Sequence, residues 1–127
     1  MKKILSIFII LVFCLTLCSC AYSADGIKSN LNKSGYDILD LTEEEKTDLN
    51  NELKYSYNGS GSIINAFYAV DYVSKESITV PEFQNKSDLT IMYKLVKESL
   101  DKGQSVDLSG YILVYGSEKG VKAALNK

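Results

Sequence analysis

The sequence predicts an α+β fold, a four-stranded and mainly antiparallel sheet with helices on one face and an extra helix at each end. Three observations carry that expectation. Thr42-Glu-Glu-Glu45 is a capping box, with a hydroxyl at the cap and a carboxylate three residues on, and it opens a helix. Residues 62–74 alternate with a period of two. Leu89, Met92, Tyr93, Val96 and Leu100 recur at helical spacing and form one apolar stripe.

In chain order, Asp25 is a candidate N-cap for a short helix in which Ile27 and Leu31 stand one turn apart, and Ser34-Gly35 supplies its stop. Tyr36 to Leu41 reads as a strand. The capped helix runs from Thr42 to about Tyr55 and turns Leu49 and Leu53 inward. Asn58-Gly-Ser-Gly61 breaks the chain.

In the strand that follows, Ile64, Ala66, Tyr68, Val70 and Tyr72 share one face and Asn65, Phe67, Ala69 and Asp71 the other. The segment is therefore buried on one side and partly covered on the other. Ser74-Lys-Glu76 turns into a second strand, Ser77 to Phe83, making a hairpin. Pro81 has no N–H to donate, which places this strand at an edge or ends it near Val80.

Ser87 caps the striped helix and Gly103 closes it. Gly110 to Gly116 is apolar on both faces, the signature of an inner strand. Ser117 to Asn126 ends the chain as a helix with Val121, Ala124 and Leu125 inward, weakened by Gly120. The order α-β-α-β-β-α-β-α contains β-α-β-β-α-β, the ferredoxin-like or split-βαβ pattern.

Composition narrows the chemistry. The 127 residues include no His, and every basic residue is Lys. Without Arg forks or a basic patch, nucleic-acid partners are disfavoured. Three cysteines, Cys14, Cys18 and Cys20, all lie near the start. Beyond them neither Ser-His nor Cys-His nucleophilic pairs are possible, nor are the usual zinc and copper ligand sets. No cofactor or metal is expected, and the chain reads as a non-enzyme.

The carboxylates give no better lead. Glu43, Glu44 and Glu45 complement the dipole of the helix they open. Asp37 and Asp40 stand three apart on a strand, hence on opposite faces. Tyr115-Gly-Ser-Glu-Lys-Gly120 lacks the glycine and lysine spacing of a phosphate loop, and Ser117 is explained as a helix cap. Nine tyrosines are the unusual feature left, and Tyr55, Tyr57, Tyr68 and Tyr72 are the candidate ligand-binding residues, an aromatic platform around one loop and strand. The opposing explanation is that Tyr forms strands well and exposes only its hydroxyl.

The first residues bear on location. Lys2 and Lys3 precede a run of mostly apolar residues from Ile4 to Leu17, followed at once by small residues, the order of a signal peptide. The run is shorter than the ~20 residues a membrane-spanning helix needs. Leu17-Cys18-Ser19-Cys20 resembles the bacterial lipobox, in which an apolar residue at −3 and a small one at −1 precede the acylated cysteine. The resemblance implies lipidation at Cys20. Cys18 is a poorer candidate because Leu17 would fill the −1 position, and Cys14 lies within the apolar run.

On that basis residues 1–19 are a lipoprotein signal peptide, 20–24 a tether and 25–127 a single domain. Loss of Lys2 and Lys3 moves the net charge from −2 to −4. The diacylglyceryl thioether that the resemblance implies would hold the protein stably on the extracytoplasmic face of the cell membrane, since one chain alone holds weakly. Cleavage without lipidation and an uncleaved anchor helix are the alternatives. Gly110 to Leu125 further resembles the end of small uncharacterised lipoproteins of low-GC Gram-positive bacteria, in which a strand, Gly-Ser/Thr-Glu and a short helix close the domain.

The expected function is an accessory binding domain that contacts envelope proteins or polymers. A small-ligand receptor with a Tyr-lined pocket is the alternative. A carboxylate-based hydrolase comes third.

Overall fold

The computed structural model describes residues 22–127. Their elements are α1 (Ala24–Lys33), β1 (Asp37–Asp40), α2 (Glu43–Ser56), β2 (Ile63–Asp71), β3 (Glu76–Phe83), α3 (Lys86–Ser99), β4 (Gln104–Ser109), β5 (Ile112–Ser117) and α4 (Glu118–Ala124). The α+β class stands. The sheet has five strands, antiparallel throughout, in the order β1-β2-β3-β5-β4.

This differs from the expected four-stranded, ferredoxin-like arrangement in three ways, each with a physical reason. The fifth strand is β4, which pairs with β5 from Gln104↔Ser117 to Ser109↔Ile112 and turns through Gly110 at φ 59°. Only Val106 and Leu108 mark it as a strand, because it is an edge with little apolar content.

Secondly, β1 lies beside β2 and antiparallel to it, with Asp37↔Val70 and Asp40↔Phe67. In a split βαβ unit the intervening helix would carry the chain across to a parallel strand. Here α2 leaves and returns at the same end of the sheet, so it is an excursion and not a crossover.

Thirdly, helices cover both faces. One core joins Ile27 and Leu31 of α1 and Val121 and Ala124 of α4 to Phe67, Ala69, Ile78, Val80, Ile112 and Val114. The other joins Leu53 of α2 and Leu89 and Val96 of α3 to Ile63, Ala66, Phe83 and Leu113. Because β5 is apolar on both sides, one layer of helices could not have kept it from water.

Local signals place most elements. Both halves of the capping box form, with the Glu45 amide donating to Thr42 Oγ1 at 3.2 Å and the Thr42 amide donating to Glu45 Oε1 at 3.2 Å. Ser117 caps α4 by accepting from the Gly120 amide at 3.1 Å. Two expected caps move. Ser23, not Asp25, caps α1, which starts at Ala24. Asn85, not Ser87, caps α3 by accepting from the Asp88 amide, and that helix ends at Ser99, short of Gly103.

Pro81 stands in a central strand, opposite Ala66, and not at an edge. The sheet tolerates it because the ladder from β3 to β5 skips that point. Pairing is found at Ile78↔Gly116, Thr79↔Tyr115 and Glu82↔Ile112. A bulge between Ile63 and Asn65 brings Ile63 and Ala66 into the same core although they are three residues apart.

Candidate functional site

Two side chains set the distance between α2 and α3. Asn50, in the middle of α2, grips the backbone of Ile63 twice, with Nδ2 donating to the carbonyl at 3.0 Å and Oδ1 accepting from the amide at 2.7 Å. Asp88, in the first turn of α3, is fully buried. Its Oδ1 accepts from the Ser60 amide at 2.8 Å, and its Oδ2 from the Ser60 hydroxyl at 3.0 Å and from the Ser62 amide and hydroxyl at 2.8 and 2.6 Å.

The segment 59–63 is thus clamped between the two helices. Its glycines are required there. A Cβ on Gly59 would stand 2.8 Å from Asp88 Oδ1, and one on Gly61, at φ 72°, would stand 2.9 Å from the Asn50 carbonyl oxygen.

Held apart in this way, α2 and α3 leave a cleft of about 380 Å³ over the sheet. Leu49, Leu53, Met92, Leu95 and Val96 form its walls, Ile63 and Tyr115 its floor, and Tyr57 stands at the rim. The size suits a small organic group. Walls that are apolar except at Glu52 and Ser99, together with two phenols, equip it to hold an apolar or aromatic moiety and to exchange a hydrogen bond with it.

Tyr115 belongs to a row that crosses the whole sheet on this face. The pairings Leu39↔Tyr68, Tyr68↔Thr79, Thr79↔Tyr115 and Tyr115↔Val106 set five side chains side by side. Burial pushes the Tyr115 phenol above its ordinary pKa, a hydrogen bond with Thr79 works against the rise, and Tyr68 adds to it. Tyr115 therefore stays protonated, a donor as well as an acceptor, across the physiological range.

The structure divides the sequence candidates. Tyr57 lines the cleft, whereas Tyr68 does not line it and shares only the cross-strand row of Tyr115, with Thr79 between them. Tyr55, 76% exposed, lies beside Lys54, whose ammonium is 5.6 Å from its ring centroid, and takes no part in the cleft lining. Tyr72, 66% exposed, is at the β2–β3 turn. Sequence reading missed Tyr115, Asn50 and Asp88. Cys20 lies outside the described residues.

A polar groove of about 310 Å³ between α1 and the start of α2 holds two ion pairs. Lys28 pairs with Asp40 and Lys46 with Glu43, each at 2.7 Å. Among the described residues no three His, Cys, Asp or Glu side chains gather as a metal site, and no helix is long and apolar enough to cross a membrane. Comparison with protein-family models, curated proteins and solved structures finds no match for the chain.

Proposed function

We propose that this chain is a lipid-anchored accessory domain on the extracytoplasmic face of a bacterial membrane, held through Cys20, which binds an apolar or aromatic group of an envelope molecule between α2 and α3. The single observation that supports binding is the cleft itself, a space of about 380 Å³ kept open by the Asn50 and Asp88 clamps and floored by Tyr115. The lipobox-like Leu17-Cys18-Ser19-Cys20 supports the anchor. A carboxylate-based hydrolase draws no support from Asp88, whose oxygens already accept four hydrogen bonds.

Saturation-transfer NMR of the full chain in lipid nanodiscs, against a set of small aromatic alcohols, tests the cleft. Binding by the native chain and its loss in Leu95→Trp, which fills the space between the walls, is the expected result. Equal transfer in both proteins would overturn the site, and no transfer in either would overturn the binding function. The intact mass of the purified protein decides the anchor separately, since lipidation adds a diacylglyceryl group to Cys20 and cleavage of the Ser19–Cys20 bond then removes residues 1–19.

A further inference from the structure

The folded domain begins almost at the anchoring cysteine. The Tyr22 amide donates to Ser109 Oγ at 2.6 Å, and the Ser109 hydroxyl donates back to the Tyr22 carbonyl at 3.0 Å. Ser109 is buried, at the last position of β4. One residue, Ala21, separates Cys20 from Tyr22, so the two Cα atoms are at most about 7 Å apart. A diacylglyceryl group on Cys20 would bring the end of β4 to the headgroup layer.

The β4–β5 turn itself suits the layer. Leu108 and Tyr111, on either side of Ser109-Gly110, are 40% and 51% exposed. From Leu108 to Ser117 the chain carries no charge, so the β4–β5 turn enters the interface without desolvating an ion. Tyrosine favours that boundary because its ring is apolar and its hydroxyl remains wet. The opposite end of the sheet is different. Its β2–β3 turn carries Asp71, Lys75 and Glu76 and lies about 27 Å away along the eight residues of β3.

We infer that the β4–β5 turn, through Leu108 and Tyr111, is a membrane-docking surface that rests in the bilayer interface beside the lipid on Cys20 and stands the sheet upright. The inference rests on the anchor reading given under the proposed function. It adds a fixed orientation, with the β2–β3 turn directed away from the bilayer.

The test uses the full-length lipidated protein in phosphatidylethanolamine–phosphatidylglycerol vesicles. Single variants Leu108→Cys, Tyr111→Cys and Val73→Cys are each labelled with an environment-sensitive fluorophore, the acylated Cys20 being unreactive. Position 73, 95% exposed, is the reference. The labels at 108 and 111 are expected to lose quenching by aqueous iodide and to gain quenching by headgroup-borne nitroxide, while the label at 73 does neither.

Because each turn variant keeps the other apolar residue, neither measurement removes the whole surface. Ser109→Ala is expected to restore part of the iodide quenching at 111 by releasing Tyr22. Iodide quenching at 108 and 111 equal to that at 73, in protein whose mass shows the diacylglyceryl group, overturns the orientation and leaves the anchor standing. A mass without that group overturns both.

Discussion

Asp88 and Ser62 are joined twice through one atom, the Ser62 amide and hydroxyl both donating to Asp88 Oδ2, at 2.8 and 2.6 Å. A buried carboxylate ordinarily resists ionisation. Here burial does push the pKa up, but the hydrogen bonds from Ser62 and Ser60 outweigh it and hold the group below the ordinary aspartate value.

That balance predicts acid sensitivity. A carboxylate with a lowered folded pKa is protonated first in the unfolded chain, so its contribution is complete above the unfolded value and is lost as pH falls through the folded one. Denaturation midpoints should hold steady above about pH 5 and fall below it. Asp88→Asn should flatten this part of the profile. Asp88→Ala, which leaves the Ser60 and Ser62 amides without their acceptor, should cost roughly 3 kcal/mol at neutral pH. Urea titrations between acid and neutral pH would check both, and an unchanged profile in Asp88→Asn would refute the assignment.

The two faces of β2 should differ in sensitivity. Phe67 is buried against α1, with the Lys28 ammonium 5.2 Å from its ring centroid, whereas the adjacent Tyr68 is partly open to water on the other face. Phe67→Ala should cost about 4 kcal/mol, within the range for emptying an aromatic core site. Tyr68→Ala should cost under about 1.5 kcal/mol. Chemical denaturation of the pair would test the facing of the strand, and equal losses would contradict it.

Gly116 should tolerate no side chain. Its φ is 143°, and a Cβ there would run into the Ser77 carbonyl oxygen of the neighbouring strand. Gly116→Ala should lose about 3 kcal/mol or more, from strained backbone and forced separation of β3 and β5. A thermal melt within a degree or two of the native protein would show that the strands are not so close.

How much of this could be read from residues alone depends on the range of the interaction. Thr42 and Glu45 announce their helix because both halves of the box are three residues apart. The apolar character of Ile112, Leu113 and Val114 on successive positions announces an inner strand for the same reason. Asp88 and Ser62 are 26 residues apart, so nothing in Ser-Asp-Leu marks that carboxylate as a clamp. Tyr115 likewise gains its meaning from Thr79 and Tyr68, which only sheet register brings alongside. Pro81 shows the converse, a reliable local rule overridden because the ladder is interrupted where its donor would be needed.

The hydrogen bonds between Tyr22 and Ser109 also determine how the domain would bear a load. A pull at its first residue is transmitted at once to β4, at the far edge of the sheet from β1, instead of peeling α1 away turn by turn. Asn30 Nδ2, donating to the Ala124 carbonyl at 2.8 Å, ties the same helix to the last one. Helix α1 is therefore fastened at two points distant in the chain, to β4 through Tyr22 and to α4 through Asn30, so tension entering ahead of it is shared between the two ends of the domain and is not borne by α1 alone.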